Sequence, residues 1–222
     1  MSYDARRQLN GPRERIRAAT FVLLVTGSAA TAGPGIPPGA LPGSTRAAAA
    51  LERCAAADHA HGTARADLLQ QALALAGEAV DADDADARAH FAVFCALGKQ
   101  MRDAGLSVFN LGKLRRVRRE IDRALELAPD SADALVGKGA LLRAMPRLLG
   151  GDLREAERLL RRALDVDPEF PYAHLELARV LAANGAVDDA RREARRAREM
   201  ARVRPGGTAA EEADALLADI GR

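Results

Sequence analysis

The chain has 222 residues, 48 % of them hydrophobic and 29 % charged, with a formal net charge of +2. That length suits one domain or a short repeat array, but aromatic residues are only 3 % and tryptophan is absent, so alanine, leucine and valine must build the core. The dominant residues, Ala, Leu, Arg and Glu, favour helix, and no alternating β-branched run is long enough for a strand. A sheet-based fold is therefore excluded, and the expected class is all-α.

The N-terminus opens with Arg6, Arg7, Arg13, Arg15 and Arg17, followed by an apolar stretch AATFVLLV at 18–25 and then by TGSAATA, with small residues at Ala30 and Ala32. A basic lead, a short apolar run and an A-x-A site are the layout of a secretory signal. Residues 1–32 are expected to be a signal peptide cleaved after Ala32, leaving a periplasmic or secreted protein. The alternative is an uncleaved N-terminal anchor, although the apolar run is short of the ~20 residues a membrane span needs. The segment carries five arginines against Asp4 and Glu14, a net of +3, so the remainder of the chain is 2 − 3 = −1. The basic balance resides in the signal, which argues against a nucleic-acid partner.

Residues 33–44, GPGIPPGALPGS, form a Pro- and Gly-rich linker. Proline lacks the amide donor and glycine costs backbone entropy, so the segment cannot hold a helix. Cys54 and Cys95 follow in Ala-rich helical runs. In an oxidising compartment they could pair, or they could serve as two buried, small apolar residues. There is no C-x-x-C. Asp58-His59-Ala60-His61 offers metal-donor types, but two histidines two apart on a helix point to different sides, so the stretch reads as a solvated helix end and no metal is expected.

Internal self-similarity is the strongest signal. When Ala89, Ala134 and Ala173 are laid under one another, His90, Leu135 and His174 coincide, as do Val93, Lys138 and Leu177, then Phe94, Gly139 and Ala178, then Leu97, Leu142 and Leu181. Those spacings mark one helix face. Each such helix is followed by a second with small residues that allow close approach: Ala72-Ala76-Ala79, Val117-Ile121-Ala124, Ala156-Leu160-Ala163 and Ala190-Ala194-Ala197. Pro129 and Pro168 stop two of these second helices. His90 and His174 are expected between the two helices of their hairpins, each finding a backbone acceptor.

This pattern resembles the tetratricopeptide repeat, a 34-residue helix–turn–helix unit, over about residues 66–202, best in PYAHLELARVLAANGAVDDARREARRAREMAR at 171–202. There Leu177, Ala178, Leu181, Gly185, Ala190 and Ala197 occupy the family's signature positions. The first two intervals are longer, 45 residues from His90 to Leu135 and 39 from Leu135 to His174. The extra length falls at 102–112 and at MPRLLGGD. The resemblance implies a right-handed α-solenoid over 45–205, about four hairpins, closed by an amphipathic capping helix within 206–222 with Leu216, Leu217 and Ile220 on one side. A solenoid needs such a cap because its last repeat otherwise leaves an apolar face in water.

The loop from Pro146 to Gly150-Gly151-Asp152 lacks the Lys and the preceding strand of a phosphate loop. It reads as a structural hinge: Pro146 ends one helix, the two glycines permit positive φ, Asp152 caps the next helix and pairs with Glu155 in a D-x-x-E box, and Leu148 and Leu149 tuck the loop against the repeat. A P-x-x-x-G-G-D insertion is similar to one in exported bacterial repeat proteins related to the T components of TRAP transporters, which implies a small-ligand binder as an alternative.

By the same resemblance, set positions of each first helix line a concave groove: Arg88, Phe91 and Cys95; Asp133, Val136, Ala140 and Arg143; Tyr172, Leu175 and Arg179. The groove centre is small and apolar, with charges at its edges. It suits a protein or peptide partner, a small apolar ligand, or the Pro-rich linker folding back, and a homo-oligomer stays open. The Arg-dense stretches 113–120 and 191–199 interleave Glu at helical spacing and read as surface ion pairs. No nucleophile–base or carboxylate pair assembles into a site. The expectation is a non-catalytic interaction scaffold of the cell envelope without a cofactor.

Overall fold

The computed structural model describes residues 41–105, 111–204 and 207–221; the expected signal peptide, most of the expected linker and the centre of the 102–112 insertion lie outside them. Among the described residues there are nine α-helices and no strand: α1 Thr45–Ala56, α2 Gly62–Ala82, α3 Ala87–Ala104, α4 Leu111–Leu127, α5 Ala132–Ala144, α6 Leu153–Val166, α7 Pro171–Ala183, α8 Val187–Val203 and α9 Ala209–Ile220. They pair as antiparallel neighbours in chain order, α1 with α2, α3 with α4, α5 with α6 and α7 with α8, and α9 packs on both α7 and α8. This is the helical-repeat solenoid of four hairpins and a closing helix.

The helix starts are chemically marked. Ser44, Asp86 and Ser131 accept the amides of Ala47, Ala89 and Ala134 at 3.1, 2.8 and 3.3 Å, satisfying donors that the first turn leaves orphaned. Pro171 occupies the first turn of α7, where its missing N–H costs nothing. At the α7–α8 turn Gly185 adopts φ +79°, a conformation side chains resist.

The core is built at the repeated small positions. All twelve residues of the four second-helix signatures, from Ala72 to Ala197, are buried. With alanine at most of them, each second helix lies close against its partner, and the larger Leu135, Leu160, Leu175 and Leu177 fill the remaining space. Between α3 and α5 the filler is aromatic. Phe91 and Phe94 stack at 5.7 Å, and Gly137 of α5 lies so close that a Cβ there would meet Phe94 at 2.7 Å.

Two repeat positions carry polar cores. His90 bridges its hairpin, with Nδ1 2.7 Å from Glu120 of α4 and Nε2 3.0 Å from the Asp84 carbonyl. His174 repeats the arrangement, 2.7 Å from Glu193 of α8 and 2.9 Å from the Pro168 carbonyl. The expected backbone acceptor is present in both, and the carboxylate is an addition the sequence did not announce. The hydrogen bond from His174 holds Glu193 below its ordinary carboxylate value, against the opposing effect of burial. Lys138, at a normally apolar repeat position, reaches Asp122 of α4 at 2.8 Å.

The loop 145–152 corrects three expectations. Asp152 caps α6 as expected, Oδ1 accepting the amides of Arg154 and Glu155 at 2.9 and 3.1 Å. The reciprocal half of the box is absent: the Asp152 amide goes to the Leu142 carbonyl, and Glu155 turns outward to Arg158 at 2.6 Å. Only Gly150 has positive φ, +84°; Gly151 is needed for close approach, since a Cβ there would lie 1.9 Å from the Met145 carbonyl oxygen. Leu148 and Leu149 do not tuck in. Leu148 is 99 % exposed and Leu149 37 %; Met145, buried, is the residue that anchors the loop, and Arg118 of α4 holds its far side through the Leu149 carbonyl at 2.5 Å.

Candidate functional site

The predicted groove residues lie on α3, α5 and α7, the first helices of three hairpins. At the two ends of this face α1 packs on α3 and the cap α9 on α7, while α5 packs on α7. The chemistry of this face divides into three stretches.

The first stretch is already occupied by the chain itself. Leu41, assigned to the linker, is buried at 4 % exposure in the cluster with Ala87, Ile121 and Ala134. Arg88 does not stand free at the groove edge: its guanidinium donates to the Leu41 carbonyl at 2.6 and 3.1 Å and to the Gly43 carbonyl at 3.1 Å. The Arg88 amide donates to the Pro42 carbonyl at 3.0 Å, and the Ser44 amide to Asp86 at 2.8 Å. Burial pushes the Asp86 carboxyl up, but the Ser44 and Ala89 hydrogen bonds outweigh it and hold it below its ordinary value. Residues 41–44 are thus a strap across the start of α3. Gly43 makes it fit, because a Cβ there would meet Asp86 Oδ1 at 2.0 Å and Arg88 Cβ at 2.4 Å.

The last stretch is a ladder of charges that runs from helix to helix. Arg143 of α5 reaches Glu176 of α7 at 2.8 Å. Glu176 also holds Arg179 at 2.6 Å, and Arg179 holds Glu212 of α9 at 2.5 Å. Thr208 donates to Glu212, and the Thr208 amide donates to the Tyr172 hydroxyl at 2.8 Å. Burial pushes the Glu212 carboxyl up, but the Thr208 and Arg179 hydrogen bonds hold it below its ordinary value. Glu176 is the central, buried member, and sequence patterning missed it because no local spacing signals a partner 33 residues away. Leu175, expected on the groove wall, is fully buried against Ala197, Ala209 and Ala213, so it seats the cap. Val136 is likewise a core residue at 7 % exposure.

Between them lies the middle stretch: Phe91 and Cys95 of α3 and Asp133 and Ala140 of α5, all half-buried. Asp133 differs from every other predicted charge of the face. Among the described residues it has no hydrogen-bond or ion-pair partner, and burial, with a smaller contribution from the Asp167 charge, pushes its pKa up to about 6. A carboxylate held without a cation in a half-dry site is destabilised when charged.

Elsewhere the candidate chemistry is spent on structure. Asp58 goes to Lys99 at 2.6 Å, while His59 and His61 are exposed. No group of three or more His, Cys, Asp or Glu able to hold a metal occurs among the described residues, and none of their helices is long and apolar enough to cross a membrane. The Arg-dense stretches are ion-paired as expected, Arg116 to Glu120, Arg191 to Asp188, Arg192 to Asp189 and Arg196 to Glu193. The loop amides of residues 149–152 all donate to protein carbonyls, leaving no cradle for a phosphate.

Residues 147–220 match a family model described as a tetratricopeptide repeat. No curated protein sequence matches the chain significantly. Among solved structures it is similar to TTC0263, a thermophilic TPR protein of Thermus thermophilus, at 20 % identity and a TM-score of 0.56, over 70 % of this chain and 74 % of that one. Looser likenesses are MamA from Desulfovibrio magneticus, at 15 % identity and a TM-score of 0.46 over 81 % and 96 % of the two chains, and YrrB, a TPR protein with an unusual peptide-binding site, at 17 % and 0.42 over 70 % and 79 %. The family match is confined to residues 147–220, and the chain as a whole has the tetratricopeptide-repeat fold.

Proposed function

We propose that this protein is a non-catalytic interaction scaffold, exported to the cell envelope, that holds a partner protein or peptide on the middle stretch of its first-helix face. The observation that carries the reading is Asp133. Arg88 is tied to the Leu41 and Gly43 carbonyls, and Arg143, Arg179, Glu176 and Glu212 pair with one another, whereas Asp133 is left with a raised pKa on the stretch that also carries Phe91, Cys95 and Ala140. A partner presenting an apolar surface and one Lys or Arg side chain would cover the former and neutralise the latter. Such a half-desolvated charge pair favours specificity as well as affinity. Export is supported by the basic lead, the apolar run 18–25 and the Ala30-x-Ala32 site.

Native mass spectrometry of the C-terminally tagged full chain, purified from its own cell envelope, tests the reading. A mature chain beginning near Gly33 with a bound protein that is lost in the Asp133→Lys variant supports it. An intact Met1 overturns export. A co-purifying small molecule in place of a protein favours the ligand-binding alternative, and a second copy of the chain favours self-association.

A further inference from the structure

We propose that Cys54 and Cys95 are a cross-linking site: a disulfide donor converts the pair to a disulfide that ties α1 to α3. The two residues come from different hairpins, 41 residues apart in sequence (95 − 54), and the fold brings them together. Cys54 is fully buried with Ala57, Leu69, Ala72 and Ala96, and Cys95 packs against that cluster. The flanking residues of both helices at this contact are small: Ala47 and Ala50 on α1, with Ala57 just past its end, and Ala89, Ala92 and Ala96 on α3, all buried. Small side chains let the helices approach, and a disulfide needs Cα atoms roughly 4.4–6.8 Å apart.

The surroundings set the two thiols apart. The Cys95 thiol donates towards Cys54, and with Lys99 and Arg65 nearby it lowers the Cys54 pKa in spite of burial. Lys99 is fixed there by the Cys54 carbonyl at 2.8 Å and Asp58 at 2.6 Å, and Arg65 by Asp103 at 2.7 Å. Cys95 is pushed up, by the same hydrogen bond and by burial. In the first exchange one of the two cysteine sulfurs bonds to one donor sulfur, and its proton leaves with the first donor thiol. The other cysteine sulfur then displaces the second donor thiol from that mixed disulfide, and its proton goes to that thiol. Two S–H bonds are lost, one S–S bond forms, and the donor leaves as two thiols carrying two electrons and two protons.

The experiment uses the purified full chain in a glutathione buffer rich in the disulfide form, quenched with acid, alkylated after unfolding and read by intact mass and peptide mapping. We expect an intramolecular 54–95 disulfide with no alkylatable thiol, and a melting midpoint about 5 °C or more above the reduced form. Cys54→Ser and Cys95→Ser should each keep one thiol and show no oxidation-dependent shift in melting. Two free thiols in the oxidised buffer, a glutathione adduct that stays on either cysteine, or a disulfide only between chains would each overturn the proposal. The readout is on the isolated protein, so it stands or falls separately from the export and scaffold readings.

Discussion

Replacing Asp133 by asparagine should stabilise the protein at neutral pH. Burial lifts the carboxyl from its ordinary value of 3.8 to about 6. A carboxyl raised in the folded state contributes fully below its unfolded pKa, and that contribution is lost as pH rises through the folded pKa. The difference of about 2 pH units corresponds to about 3 kcal/mol at pH 7, and partial solvent access at the half-buried site lowers it to ~1–3 kcal/mol. Wild-type stability should therefore fall between pH 4 and pH 6 by this amount relative to Asp133→Asn, with parallel curves above pH 7. Urea unfolding at half-unit pH steps, followed by circular dichroism, reads this directly. If the two proteins keep the same midpoint difference from pH 4 to pH 8, the carboxylate is not held at a cost, and the argument for a cationic partner at this position loses its ground.

The other expectations concern packing and pairing. Gly43→Ala should detach the strap 41–44, with a loss of ~1–3 kcal/mol from the clash with Asp86 and Arg88; hydrogen exchange at the amides of residues 88–90 should speed up, and unchanged exchange would show that the strap is not held there. Gly151→Ala forces its Cβ onto the Met145 carbonyl and should cost more than 1 kcal/mol, whereas Leu148→Ser, at a fully exposed side chain, should stay within ~0.5 kcal/mol in the same denaturant titration. Glu193, held low by His174, should contribute stability above its ordinary pKa that is lost as pH falls through the depressed folded value. Glu193→Gln should accordingly be less stable at pH 7 and flatter below pH 4.5, and identical acid limbs would contradict this.

The repeats were legible because small residues and prolines recur at helical spacing. Positions 72–76–79 and their three counterparts needed no tertiary knowledge to be assigned to helix contacts. The histidines were placed for the same reason, since Ala89-His90 and Ala173-His174 occupy one repeat position. What periodicity cannot carry is contact between distant segments. Arg88 looks like a free groove cation until Leu41 and Gly43 arrive from 47 and 45 residues away. Leu175 looks like groove wall until α9 covers it, and Glu176 has no partner in its own neighbourhood except Arg179. Leu148 and Leu149 misled for a different reason: apolar identity predicts burial on average, but a short 3-10 turn anchored by Met145 and Gly151 leaves them no surface to pack on. Asp133 was visible as a groove residue, but its missing cation was not, because pairing is decided by what neighbouring helices bring.

The most direct test of the scaffold account is site-specific photo-cross-linking in the native cell. A photoreactive amino acid at Ala140, two turns along α5 from Asp133, is compared with one at Arg195, exposed on α8. The account predicts a discrete cross-linked partner from position 140, none of that mass from position 195, and loss of the product when Asp133→Lys is added. Equal products from both positions, or a product indifferent to the Asp133 charge, would contradict it.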